Sequence, residues 1–148
     1  MTMAETRART TGHPGYSETH PCAPGTAEIA RRLARTACAT WGVEEAAEPA
    51  ALILSELVTN AVRHTRSRLI RVIVERPADG WLYLAVVDQA PLLVPVRRIP
   101  KPGALGGRGL VLVEAFAERW GYDRMGSGLR PWGKRVWARI DTTRETTP

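Results

Sequence analysis

Leu52–Thr65 reads LILSELVTNAVRHT, and the fold follows from its spacing. Leu54, Leu57, Val58, Ala61 and Val62 recur at steps of three and four, the period of a helix with one buried stripe. Glu56 and Asn60 are four apart, so they stand one turn above the other on a different face, with His64 a further turn on. A carboxylate stacked with a carboxamide forms a small all-oxygen site of the kind a hard cation such as Mg²⁺ selects. The same pattern also describes a solvated helix face, and the rest of the chain has to decide between the two.

Working toward the N-terminus, Glu44 onwards begins this helix, with Pro49 in or near its first turn, where proline is tolerated. An earlier helix is predicted from Thr26, a credible N-cap, through Ala30, Leu33, Ala34, Ala37, Cys38 and Trp41 to Gly42. Tyr16–Cys22 has the composition of a short edge strand, and residues 1–15 lack periodicity and read as a disordered tail. Working toward the C-terminus, the period changes. Leu69–Glu75 and Trp81–Asp88 are β-rich runs around the turn composition Arg76–Gly80, a hairpin. Gln89–Gly106 carries four prolines and reads as a long functional loop. Gly106-Gly-Arg-Gly109 then opens a third helix, Leu110–Trp120, stopped by Gly121. Tyr122–Arg124 and Lys134–Asp141 are two final strands, and residues 142–148 a polar tail. This order predicts an α+β, two-layer sandwich over residues 16–141: about three helices on a mixed, mostly antiparallel sheet.

Length and composition narrow the function classes. One domain of 148 residues can bury a core without disulfides, and Cys22 and Cys38 form no metal or redox spacing. No apolar run approaches the roughly 20 residues that span a bilayer, and the N-terminus has no signal-peptide core. A cytoplasmic protein without a membrane partner is expected. The formal charge of +6 rests almost entirely on arginine, the lysines being Lys101 and Lys134. These arginines are scattered, and Trp41, Trp81, Phe116, Trp120 and Trp137 sit at core-like positions, so direct nucleic-acid binding is not expected.

Three pieces fall in order: Glu56-Leu-Val-Thr-Asn60, a strand ending in Asp88, and Gly107-Arg-Gly109-Leu110 at a helix start after a long loop. This ordered set resembles the GHKL, or Bergerat-fold, histidine-kinase-like ATPase superfamily. Within it, SELVTNAVRHT, GGRGLVLVEAFAERWG and GKRVWARI look like the anti-sigma-factor serine kinases among small bacterial regulators. The resemblance spans about Pro21 to Ile140 and implies ATP and Mg²⁺ as cofactors. It implies that Asn60 coordinates Mg²⁺, that Glu56 is the catalytic positioner or base, and that Asp88 reads adenine. Gly107, Arg108, Gly109 and Leu110 would meet the phosphates, where glycine lets backbone approach and a helix N-terminus offers unpaired N–H groups. No GxxxxGK[ST] is present, so the nucleotide site is not a P-loop.

The resemblance further implies a serine/threonine kinase acting on an anti-anti-sigma-type protein, with a sigma factor as alternate partner and a homodimer as the assembly. The alternative is a catalytically silent, nucleotide-dependent module that sequesters a sigma factor or other regulator. Two departures bear on the choice. The usual DxGxG is here Asp88-Gln89-Ala90-Pro91, and Arg135 stands where relatives have a Thr before the Val-Trp pair. A Thr hydroxyl that could join the adenine network is thereby lost and a long cation replaces it, which bears on nucleotide affinity. His64 reads as a capping or packing residue, and nothing around it suggests a phospho-accepting histidine.

Overall fold

A computed structural model describes residues 7–8, 14–78, 80–93, 109–127 and 129–143. Three helices cover one face of an antiparallel sheet, the α+β sandwich expected from the sequence. The elements run β1 (Arg7–Ala8), β2 (Gly15–Pro21), α1 (Thr26–Thr40), a 3₁₀ turn (Glu44–Ala46) and α2 (Ala47–His64). They continue through β3 (Leu69–Ala78), β4 (Trp81–Asp88), α3 (Gly109–Phe116), β5 (Arg119–Ser127) and β6 (Arg130–Asp141). The sheet order is β1-β2-β3-β4-β6-β5, and every pairing is antiparallel, with no parallel pair among the described residues. Among those residues no helix is long and apolar enough to cross a membrane.

α2 is the centre of the helical layer. It packs between α1 and α3 and lies over β4. Ala50, Ala51, Ile53, Leu54, Leu57, Val58 and Ala61 are buried along it, so the apolar arc is wider than a single stripe. Pro49 falls in its first turn, where no helical hydrogen bond is lost. In α1, Ala30, Leu33, Ala34, Ala37 and Cys38 are buried at helical spacing, and Gly42 supplies the left-handed φ of +69° just beyond the end. Thr26 is the first helical residue rather than the cap. Its hydroxyl donates to the Pro21 carbonyl at 2.7 Å and ties the helix start to β2.

Strand alternation divides the sheet cleanly. Leu82, Leu84 and Val86 of β4, with Val136, Ala138 and Ile140 of β6, join the helix-side core. Ile73, Ala85 and Val87 form a smaller cluster on the opposite face, joined by Tyr83, Met125 and Trp137. Trp137 stacks on Tyr83 with ring centroids 6.2 Å apart, and the Arg139 guanidinium lies 4.0 Å over the Trp81 ring. Thus Trp137 belongs to this second face and Trp81 is only half-buried there, while Trp41, Phe116 and Trp120 pack on the main core as expected.

The third helix is shorter than its sequence suggests. It ends at Phe116, and Trp120 and Gly121 belong to β5. The reason is cross-strand: Gly121 pairs with Trp137, whose ring would lie 2.9 Å from any Cβ at that position. Gly121 makes room for an aromatic ring rather than stopping a helix. Tyr16–Cys22 was expected at a sheet edge, but β2 lies between β3 and the two-residue β1, which uses residues from the expected tail.

Candidate functional site

Glu56 and Asn60 share the α2 face that also carries Ile53, as the spacing requires. Asn60 is 6 % exposed, Glu56 half-buried. Among the described residues the Asn60 carboxamide makes no hydrogen bond. The residue is buried but its amide atoms are not among the buried unpaired ones, so the carboxamide tip meets solvent. Its amide oxygen, one helical turn from Glu56, is a hard donor of the kind Mg²⁺ takes. No cluster of three or more His, Cys, Asp or Glu that could hold a metal occurs among the described residues. This donor set therefore fits an ion whose remaining ligands come from phosphate and water.

Asp88 ends β4 at the C-terminal side of α2. The α2–β3 connection is stitched to it: the Gln89 amide donates to Ser67 Oγ at 2.8 Å, and Gln89 Oε1 accepts from the amides of Arg68 (2.8 Å) and Leu69 (3.2 Å). Cys22 lies in the same corner. Burial pushes its thiol pKa up; the Thr65 hydroxyl partly offsets this, and the Asp88 charge adds to the rise.

Asp88 does not stand open. Lys134, directly opposite in the β4–β6 register, donates from Nζ to Asp88 Oδ2 at 2.7 Å and to the Ala90 carbonyl at 3.0 Å. The other carboxylate oxygen, Oδ1, accepts the Ala90 amide at 2.8 Å. Both side chains of the pair are only 1 % exposed. Gly133 is part of the same construction, because a Cβ there would fall on the Asp88 carbonyl oxygen, 2.3 Å away. Glycine at 133 lets the strands close, and lysine at 134 neutralises the carboxylate they enclose. Lys134 was missed in the sequence, although it sits in phase with Val136, Ala138 and Ile140 of the buried face. A lysine on the inward phase of a strand is the signal that could have found it.

Arg135, at the position where relatives carry the Thr, is on the other side of the sheet from Lys134. Alternation sends it to the opposite face, where it pairs with Asp123 at 3.6 Å and lies 5.7 Å over the Tyr83 ring. It does not intrude on the α2 side; the position that faces Asp88 is 134.

The glycine-rich segment is covered only at its end. Gly107 and Arg108, with most of the Gln89–Gly106 loop, lie outside the described residues. Gly109 opens α3, and Leu110 is fully buried in the core, so its backbone rather than its side chain is what could meet a phosphate. The described start of the loop is anchored, with Arg124 Nε donating to the Pro91 carbonyl at 3.1 Å.

Residues 21–140 match the family model described as histidine kinase-like ATPase domain, and the chain belongs to that family. Membership supports ATP binding and ATP-dependent activity. No curated protein matches the chain.

Proposed function

We propose that this protein is an ATP-dependent serine/threonine kinase of the anti-sigma-factor type, whose substrate is a hydroxyl on an anti-anti-sigma-type protein and whose alternate partner is a sigma factor. The observation that carries this reading is α2, which sets Asn60, a 6 % exposed residue whose carboxamide tip reaches solvent, one turn from the half-buried Glu56. Mg²⁺, when bound, would neutralise phosphate charge, and Asn60 would hold it through the amide oxygen. Glu56 would orient the incoming serine or threonine hydroxyl and accept its proton as the oxygen bonds to the terminal phosphorus and ADP departs. The α3 N-terminus offers backbone donors to the phosphates.

Phosphorylation of the antagonist would keep the sigma factor captive. In the alternative, a silent module sequesters the same partner without turnover. The closed Asp88–Lys134 pair bears on base recognition, which both readings share, rather than on transfer. The test is a phosphorylation assay with Mg-ATP on an anti-anti-sigma-type protein, comparing the wild type with Glu56→Gln. Transfer by the wild type, lost in the variant while nucleotide still binds, supports the kinase. Tight partner binding with no transfer by the wild type supports the sequestering module.

A further inference from the structure

We propose that Lys134 determines base selectivity by withholding the Asp88 carboxylate, so that the site scarcely distinguishes a 6-amino purine nucleotide from its 6-oxo counterpart. The inference rests on the reading of this region as a nucleotide site. An ionised carboxylate is an acceptor only, and it selects adenine by taking a hydrogen bond from the exocyclic amine. Selection of that kind needs an acceptor the base can reach. Here Oδ2 is held by the Lys134 ammonium at 2.7 Å and Oδ1 by the Ala90 amide at 2.8 Å. With both side chains 1 % exposed, neither oxygen is presented to a ligand.

The arrangement is built in rather than incidental. Lys134 and Asp88 are register partners, Gly133 permits the close strand approach, and the second Lys134 bond, to the Ala90 carbonyl, fixes the turn that follows β4. The carboxylate thereby serves the chain as a clamp on residues 88–90. Replacing the long cation by a short hydroxyl would break two of the clamp's bonds, open space beside the carboxylate and return Oδ2 to a ligand.

The experiment measures dissociation constants of Mg-ATP and Mg-ITP by equilibrium titration for the wild type and Lys134→Thr, with inorganic tripolyphosphate and Mg²⁺ as a base-free probe. ITP differs from ATP at the purine by a carbonyl where adenine has the amine. The wild type is expected to bind the two nucleotides within about threefold of each other. Lys134→Thr is expected to prefer ATP by about tenfold or more, as a site with a free acceptor should. A wild type that already prefers ATP tenfold, or a variant with an unchanged ratio, overturns the inference and leaves the nucleotide site standing. The wild-type ratio decides the matter even if Lys134→Thr does not fold. If wild type binds tripolyphosphate but neither nucleotide better than it, the base has no site here and the inference fails. Absence of binding by all three probes overturns the nucleotide-site reading and this inference together.

Discussion

The two ends of the candidate site treat their polar side chains in opposite ways. On α2, Asn60 is buried without an internal hydrogen bond beside the half-buried Glu56. At the end of β4, Asp88 is buried with Lys134 as its counter-ion, and each of its oxygens is bonded within the chain. The Asn60 carboxamide has no partner among the described residues, whereas both Asp88 oxygens are bonded within the chain. A carboxylate at a motif position can thus also bind its own chain, as Asp88 does with Lys134 and the Ala90 amide. Catalytic tolerance and folding stability should therefore separate along the site.

The largest effect expected is kinetic and belongs to the α2 end. Glu56→Gln keeps size and packing but loses the carboxylate, so phosphoryl transfer should fall by about 10²–10⁴-fold, with an unfolding midpoint in urea close to the wild type's. A large stability loss would show that Glu56 is structural, and the contrast between the two ends would disappear.

At the other end the sizes reverse. Asp88→Leu leaves the Lys134 ammonium buried and uncompensated and should cost about 3–5 kcal/mol in urea unfolding. The double variant Asp88→Leu/Lys134→Met should recover most of that loss, since a buried pair is often replaced by apolar residues at little cost. Equal losses in single and double variants would mean that the clamp's stability does not reside in the pair. Gly133→Ala drives a methyl against the Asp88 carbonyl and should cost about 1–3 kcal/mol by overpacking. A wild-type melting curve for that variant would show that β4 and β6 can part freely here.

Legibility followed the same division. α2 was readable because its apolar period and the Glu56–Asn60 step are local, and both are present within one helix. The hairpin of β3 and β4 was readable for the same reason, as its turn is short and marked by Gly80, which adopts φ +94°. What failed was long-range. Trp120 and Gly121 look like a helix ending until Trp137 is seen across the strand. Lys134 looks like an ordinary surface lysine until its 46-residue jump to Asp88 is known. The phrase shows that a cation replaces a Thr at 135, but not that the alternation of the strand turns Arg135 toward Asp123 and Lys134 toward Asp88.

The two thiols offer finer probes of the comparison. Cys38, inside α1, has its pKa pushed up from 9.0 to about 11, chiefly by burial, with the Glu44 charge adding. The folded state holds that proton more tightly than the unfolded one. Stability from this group is thus complete below pH 9 and declines as pH rises from 9 towards 11, by about 2–3 kcal/mol. Urea midpoints across that window should fall in the wild type and fall less in Cys38→Ala. The smallest effect is at Cys22, in the Asp88 corner. Asp88→Asn removes a charge that disfavours its thiolate, so alkylation of Cys22 by iodoacetamide at pH 8 should quicken. Slower labelling would contradict the sign of that coupling.

In the proposed function α2 holds the metal-bound phosphates through Asn60. Titration calorimetry of ATP against the wild type and Asn60→Ala, each with and without Mg²⁺, tests it most directly. The account predicts Mg²⁺-dependent binding by the wild type and a loss of about tenfold or more in Asn60→Ala, with the fold intact. Undiminished Mg-ATP binding by Asn60→Ala would contradict it.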